Sequence, residues 1–344
     1  MSTSFHNLKV KELVKETKDA ISIEFDIPEE LKNSCKLDAG QYLTLKTSIG
    51  GEEVRRSYSL CTAPYEARWK VTSKKVKDGK MSNYLYDQIS IGDSLEVMPP
   101  NGSFIANQKD KPIILFAAGS GITPIMSILK DQLESGNQIV NLYYGSRNEE
   151  EVIFKRELDG ISQENGHRFL LQHFFSSNGE RLDKDRVESI ANGLKVLKSQ
   201  ADFFICGPAG MIESTKLGLE AAGVNSNQIH IEYFASPASP KEENTQEVAS
   251  GNVEEITVVI DESEHQITLG ASETILEGAE RIGIDPPFSC HSGVCTTCKA
   301  KVISGEVEME NNFGLGQDEI DEGYVLTCIG RPSCAGVKVS WDEV

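Results

Sequence analysis

Residues 290–298 read CHSGVCTTC, three cysteines at the spacing C-x4-C-x2-C, and a fourth, Cys328, follows in YVLTCIG. Few features constrain a chain more, because thiols that must meet dictate the path of the backbone between them. A zinc ribbon pairs two C-x2-C knuckles, and only one is present. Disulfides are disfavoured by compartment. The N-terminal stretch MSTSFHNLKVKELVKETKDAISIEF lacks the apolar centre of a secretory signal, and no apolar run approaches the ~20 residues that cross a bilayer. The expectation is a cytoplasmic chain with no membrane segment.

The remaining option is iron and sulfide. The spacing C-x4-C-x2-C…C is that of plant-type [2Fe–2S] centres. Cys290, Cys295, Cys298 and Cys328 are therefore expected as the metal ligands. The small residues of HSGV and TT suit backbone N–H groups approaching the sulfurs, where their hydrogen bonds tune the potential. Cys35, Cys61 and Cys334 are read as passive.

A one-electron centre needs a source of electrons, and 344 residues leave room for one, since domains run to roughly 100–200 residues. The segment ASPASPKEENTQEVASGN, residues 235–252, has no aromatic residue and one valine, too little to offset its ordering entropy, and reads as a flexible linker. A second boundary falls near NQKDKP. The expected division is 1–107, 108–234, a linker at 235–253, and 254–344. Before residue 107, β-rich runs such as QYLTLKTS and RWKVTSKKV alternate with turns, which predicts an antiparallel β-barrel. Beyond it strands such as PIILFAAG, QIVNLYYGSR and DFFICG alternate with helical patterns, EEVIFKRELDGI among them, which predicts a doubly wound parallel α/β sheet. The last segment predicts a small α+β domain carrying one helix, with Ser272 as its N-cap.

Charge is uneven. Of the net −19, −13 falls in residues 254–344, around the cysteines. That excludes nucleic acid, whose phosphates would be repelled, and favours a positively patched protein partner.

Three further motifs carry chemistry. Arg56-Ser57-Tyr58-Ser59 is followed by DGKMSNYL, in which Ser82 reads as a helix cap and Gly79, Lys80 and Met81 bring N–H groups and one ammonium to an anion. FAAGSGITP sets Gly119 and Gly121 in a strand-to-helix turn, with Thr123 as N-cap and Pro124 as the first helical residue. CGPAGMI repeats the theme with Cys206, Gly207 and Pro208. Both turns fall at the C-terminal edge of the sheet, where doubly wound folds bind ligands.

In this order, RSYS, GKMS, AAGSGITP, CGPAG and the cysteine set, the chain resembles the ferredoxin–NADP reductase superfamily along its whole length, in the arrangement with a C-terminal ferredoxin domain. CHSGVCTTCKAKVISGEVEME and DEGYVLTCIGRP are most similar to reductases serving ring-1,2-oxygenases of the phenylacetyl-CoA epoxidase type. The resemblance implies a β-grasp ferredoxin domain and the cofactors FAD and a [2Fe–2S] cluster, with FMN in some relatives. It gives Tyr58 to stacking on the isoalloxazine and Ser59 to its N5. Arg56, the Lys80 and Met81 backbone and Ser82 would hold the pyrophosphate. Gly119, Gly121 and Thr123 would line the nicotinamide path, and Cys206, with Gly207 and Pro208 shaping the turn, would sit where the nicotinamide approaches. Glu232 and Phe234 match the superfamily's acid-plus-aromatic ending, Phe234 covering the other flavin face. Ser59, Cys206 and Glu232 are the expected positioning and proton-handling residues. Ser146-Arg147 stand where NADP-using relatives hold the 2′-phosphate, which favours NADPH with NADH as the alternative. Electrons would run from NADPH through FAD and the cluster to a terminal oxygenase. Another acceptor, such as a ring-hydroxylating oxygenase, a desaturase or a hybrid-cluster protein, is the alternative, as is a redox-sensing module.

Overall fold

The structure, a computed structural model, describes residues 4–106, 108–236 and 254–344. The chain divides into two compact units, Ser2–Phe234 and Ala235–Val344. From residue 237 the expected linker lies outside the described residues, as does Asn107 at the other expected boundary.

The first unit begins with six antiparallel strands: β1 (His6–Thr17), β2 (Ala20–Asp26), β3 (Tyr42–Ile49), β4 (Glu52–Ser59), β5 (Lys70–Lys74) and β6 (Ser94–Asn101), in the order β4-β3-β6-β1-β2-β5. A Leu60–Val71 bridge just past β4 joins the two edge strands and curls the sheet towards a barrel. Ile23 and Phe25 of β2 enter the core with Leu43, Leu45, Leu95 and Val97, and each is worth roughly 1.5–3 kcal/mol of burial. Between them Glu24, also buried, is neutralised by Lys11 at 2.7 Å and Arg68 at 3.0 Å. Two short helices decorate the barrel, α1 (Glu29–Ser34) and α2 (Lys80–Asp87).

The same unit continues as a five-stranded parallel sheet. It comprises β7 (Ile113–Ala118), α3 (Ile122–Ser135), β8 (Val140–Ser146), α4 (Lys155–Glu164), β9 (Phe169–Phe175), α5 (Lys184–Gly193), α6 (Leu197–Gln200), β10 (Asp202–Cys206), α7 (Ala209–Ala221) and β11 (Ile229–Glu232), with strand order β11-β10-β7-β8-β9. Strands buried on both faces read as continuous apolar runs, and alternation sorts them. Ile113, Leu115, Ala117, Phe204 and Cys206 join the core under α3. Ile114, Phe116, Phe203 and Ile205 join the core on the opposite face, with Val187 and Ile212. The α3 core also takes in Ala20, Ala39, Cys61, Phe104 and Ala106 from the barrel, and Phe104 meets Phe204 edge-on at 5.2 Å. Barrel and sheet thus share one core.

The second unit has a mixed sheet in the order β13-β12-β18-β14-β16, from β12 (Glu254–Ile260), β13 (Ser263–Leu269), β14 (Lys299–Ser304), β16 (Tyr324–Leu326) and β18 (Lys338–Ser340), with β12 and β18 parallel. β15 (Val307–Met309) pairs with β17 (Gly330–Pro332), and α8 (Ile275–Arg281) and α9 (Gln317–Asp321) complete it. The β12–β13 turn holds Asp261 and Glu262 at positive φ. Both of their N–H groups donate to the Asp342 carboxylate, at 2.9 and 2.8 Å.

Local punctuation differs from expectation in four places. α8 is capped by Thr274, not Ser272, because Thr274 and Glu277 close a reciprocal capping box. α3 starts at Ile122, with Thr123 and Pro124 inside its first turn. α2 starts at Lys80. Ser82 is therefore within the helix, where its hydroxyl accepts from the Val76 N–H at 3.2 Å. The expected helix around EEVIFKRELDGI is broken at Phe154, whose φ is +62°, and only α4 is helical.

Candidate active site and metal centre

In the first unit the motifs converge where β4 leaves the barrel beside the C-terminal ends of β10 and β11. Strand register sets Cys206 opposite Glu232. The Ser59 hydroxyl donates to Glu232 Oε2 at 3.4 Å, and the Cys206 sulfur lies 4.0 Å from the same oxygen. Burial pushes the Glu232 carboxyl up to about 8, with the Ser59 hydrogen bond pulling the other way. Burial first, then the nearby Glu232, holds the Cys206 thiol well above its ordinary range. At neutral pH the trio is a hydroxyl, a thiol and a carboxylic acid, all uncharged.

The glycine turns make this possible. A Cβ on Gly121 would stand 2.1 Å from the Cys206 carbonyl oxygen, and one on Gly207 would meet Met211 at 2.4 Å. At Gly121 the two strand ends approach backbone to backbone, and no larger residue fits there, whereas at Gly207 only the movable end of Met211 stands in the way. Gly119, at φ +54°, has open space where a side chain would be. It borders a cavity of about 600 Å³ whose other walls include Ser146, Arg147, Pro208 and Met211. This cavity lies at the crevice where strand order reverses between β7 and β10, the expected ligand position of a doubly wound sheet. Lys74 of the barrel and Arg181 also reach it.

Of the acids after Arg147, Glu151 folds back to it. Glu151, 4% exposed, is met by Lys18 at 2.8 Å, Arg147 at 3.3 Å and Lys74 at 3.8 Å. The hydrogen bond from Lys18 is the first cause holding its carboxyl below the usual range. Three cations compensate this one carboxylate, which the sequence alone did not reveal.

On the barrel, α2 begins at a glycine, and its first N–H groups, from Lys80 onward, lack intrahelical partners. Lys80 pairs with Glu52 of β4, so the helix start is tied to the strand that carries Arg56 and Tyr58. Arg56 is exposed, its guanidinium turned to the Arg55 carbonyl at 2.6 Å. Tyr58 is half-buried, and desolvation pushes its phenol up to about 12. Ser82 is buried, its hydroxyl used by the turn rather than left for a ligand. Phe234, after β11, is 44% exposed and is no core aromatic.

In the second unit Cys290, Cys295 and Cys298 occupy the loop between α8 and β14, and Cys328 lies between β16 and β17. The Cys290 thiol is within hydrogen-bonding reach of both Cys295 and Cys328, and Cys328 of Cys298. Cys290, hydrogen-bonded first by Cys295, is driven towards thiolate, while Cys328 is driven the other way. The Ser292 and Cys295 N–H groups donate to the Cys290 sulfur at 3.4 and 3.5 Å. Thr327 fastens the fourth cysteine to the loop, its N–H and hydroxyl both donating to the Cys298 carbonyl, at 3.2 and 3.0 Å. Gly293 takes φ +72°, where a Cβ would be 2.8 Å from the Asn311 carbonyl. Leu276, Leu315 and Leu326 form an apolar shell around Cys298 and Cys328. Among the described residues no group of three or more His, Cys, Asp or Glu side chains is set around a single ion. A two-iron cluster does not require one, since each iron takes two protein thiolates. None of the eight cysteines is in a disulfide, and the donor set of four converging thiols inside an apolar shell fits such a cluster.

Comparisons agree with this geometry. Residues 7–105 match the family described as oxidoreductase FAD-binding domain, residues 115–217 the oxidoreductase NAD-binding domain, and residues 258–333 the 2Fe-2S iron-sulfur cluster binding domain. The chain is 35% identical to one of the subunits of the 1,2-phenylacetyl-CoA epoxidase of Escherichia coli (strain K12), over 99% of this chain and 98% of that one. It is 34% identical to the ferredoxin reductase component of 3-ketosteroid-9-alpha-monooxygenase from Rhodococcus rhodochrous, over 97% and 96%. The solved structure of phthalate dioxygenase reductase, 26% identical, aligns with a TM-score of 0.62 over 98% of both chains. Among the described residues no helix is long and apolar enough to cross a membrane.

Proposed function

We propose, from the premise that this chain belongs to the ferredoxin–NADP reductase superfamily with a C-terminal plant-type [2Fe–2S] domain, that it is the electron-supplying component of a terminal oxygenase of the phenylacetyl-CoA epoxidase type. The family fixes the coarser activity, that of an NAD(P)H-dependent oxidoreductase with FAD and a [2Fe–2S] cluster. This reading takes the chain as a flavin module (1–107), a nucleotide module (108–234), a linker (235–253) and a cluster module (254–344), working in the cytoplasm.

When bound, FAD accepts two electrons from the nicotinamide as hydride and the cluster passes them on singly. The chain's own residues contribute position and proton control. Arg56 and the N–H groups at the start of α2, around Gly79, Lys80 and Met81, would hold the pyrophosphate, with Ser82 bracing the turn. Tyr58 and Phe234 would flank the ring. Gly119, Gly121 and Thr123 would line the nucleotide path, with Gly207 and Pro208 shaping its far wall. Ser59, Cys206 and Glu232 would orient the reacting atoms and hold a proton at Glu232 Oε2. Cys290, Cys295, Cys298 and Cys328 would hold the irons. The observation that carries the reading is the meeting of barrel Ser59 with Cys206 and Glu232 of the sheet, beside the nucleotide-sized cavity.

Anaerobic NADPH should bleach the flavin and then the iron–sulfur absorbance, and the reduced protein should support oxygenation of an aromatic acyl-CoA by the oxygenase components of the epoxidase. Flavin bleaching over a cluster that stays oxidised would refute the relay. Turnover with a steroid or phthalate oxygenase but not with the epoxidase would refute the acceptor.

The cations gathered on Glu151, with Arg147 among them at the cavity, support NADPH over NADH. Ser146, Arg147, Lys74 and Arg181 would face the 2′-phosphate. Arg147→Ala should raise KM for NADPH roughly ten- to fiftyfold and leave NADH kinetics within about twofold, as expected for removal of one charge-assisted contact. Equal loss with both nucleotides would count against this assignment.

A further inference from the structure

α3 carries a polar stripe that the reading above leaves mostly unused. Thr123, Ser127 and Lys130 stand at i, i+4 and i+7, on one face of the helix, and all three are buried. Thr123 turns back to the Ser120 carbonyl at 3.0 Å. The other two reach across to the barrel. The Ser127 hydroxyl donates to the Thr62 carbonyl at 2.7 Å and accepts from the Gly40 N–H at 3.3 Å. The Lys130 ammonium, 6% exposed, donates to the Cys61 carbonyl at 3.2 Å, pairs with Glu66 at 3.3 Å and reaches Glu157 of α4. Burial works to neutralise this lysine, but Glu157 and Glu66 outweigh it and keep it charged.

The position of these pins matters more than their number. Cys61 and Thr62 follow Ser59 by two and three residues. The other end of α3 grows from the Gly119–Gly121 turn, which lies against the Cys206 carbonyl. The helix therefore has its start on the nicotinamide side of the site and its flank fastened to the chain leaving the flavin side. Stability alone does not account for a buried ammonium here, since an apolar side chain of similar volume often stabilises as well or better. A directional bridge, by contrast, fixes relative position, and a displacement of about 1 Å can slow a positioned reaction about a hundredfold.

We propose that Lys130 is a positioning residue, whose bridge from the Cys61 carbonyl and Glu66 to Glu157 sets the register between Ser59 and the Cys206–Glu232 pair. The proposal rests on the hydride-transfer reading of the site. Its role is in the rate of flavin reduction, with Ser127 as the second pin. Glu66 stays compensated without Lys130, because Arg68 holds it at 2.6 Å.

The test is Lys130→Met, with Lys130→Arg and Ser127→Ala beside it. Lys130→Met should retain FAD, melt within a few degrees of wild type and bind NADPH within about threefold. Its anaerobic flavin reduction by NADPH should slow roughly 10- to 100-fold. Lys130→Arg should recover part of that loss, and Ser127→Ala should lose roughly three- to tenfold. In the flavin-free protein, amide exchange across residues 60–67 and the first turns of α3 should speed up in Lys130→Met while the rest of the sheet stays as protected as before. Flavin reduction within twofold of wild type in Lys130→Met overturns the proposal, as does unchanged exchange. If Lys130→Met does not fold, a wild-type rate in Ser127→Ala overturns it and a slowed one supports it. A wild type that neither NADPH nor NADH reduces sinks the hydride-transfer reading together with this one. Fast wild type beside equally fast Lys130→Met sinks this one alone.

Discussion

Cys328→Ser should leave a yellow protein that still passes electrons from NADPH to ferricyanide at a rate within about twofold of wild type. Its iron–sulfur absorbance should be lost, and cytochrome c reduction should fall at least about a hundredfold, a loss of ~2.7 kcal/mol or more in transition-state terms. The asymmetry follows from where Cys328 sits. It belongs to the second unit, while Ser59, Cys206 and Glu232 belong to the first. Removing it breaks a thiol pairing with both Cys290 and Cys298 and leaves Thr327 fastening an incomplete ligand set to the loop. A hydroxyl is too weak a ligand for ferric iron to replace a thiolate without loss. Cys334→Ser is the control. That sulfur accepts from the Glu306 N–H at 3.2 Å and touches none of the four clustered cysteines in the described contacts, so iron content and both activities should stay as in wild type. Loss of ferricyanide activity in Cys328→Ser, or equal loss in both variants, would mean that the cysteines serve folding rather than electron transfer.

The contrast between what the sequence displayed and what it hid has a physical pattern. The meeting of the four cysteines was legible because their spacing is local chemistry: nine residues specify the loop, and a single distant thiol joins it. The parallel sheet was legible because short apolar runs such as IILFAA and DFFIC recur between helical patterns. Caps were legible in kind and misplaced in position. SETILEGAERIG offers both Ser272 and Thr274, and only Thr274 has a glutamate three residues on, a signal present in the sequence but passed over for the earlier residue. Ser82 misled for a similar reason, since a serine inside the first turn and a serine at its start look alike until the Val76 N–H claims the hydroxyl. β9, FLLQHFF, was missed because Gln172 and His173 interrupt its apolar run. Long-range electrostatics were invisible. Glu149, Glu150 and Glu151 look like repulsion for a nucleotide phosphate, yet Glu151 is enclosed by Lys18 and Lys74, residues more than seventy positions away in sequence. Lys130 reads as an ordinary polar helix position until Glu66, from the barrel, is brought against it.

Glu232 is the acid whose charge the sequence could not predict, and it has the second large effect. Its carboxyl is pushed up to about 8, so it is protonated at pH 7 and loses its proton as pH rises through 8. Two consequences share that sign. Because the folded-state pKa lies above the ordinary carboxylate value, the proton contributes stability that is full below about pH 4.5 and is lost as pH rises through about 8, by up to about 1.4 kcal/mol per pH unit. And because an ionised carboxylate would place an unpaired negative charge beside Ser59 and the Cys206 thiol, flavin reduction by NADPH should fall above pH 8 with a single inflection near that value. Glu232→Gln keeps the shape and the Ser59 contact but cannot ionise. Its reduction rate should be roughly 10- to 100-fold below wild type, the scale of a lost proton-handling group, and flat from pH 6 to 9. Urea unfolding of its flavin-free form should lack the wild-type decline over the same range. An inflection near 8 that persists in Glu232→Gln would assign the titration to another group. A wild type without any inflection between 7 and 9 would mean that Glu232 is solvated and ionised, and the neutral trio would no longer describe the site.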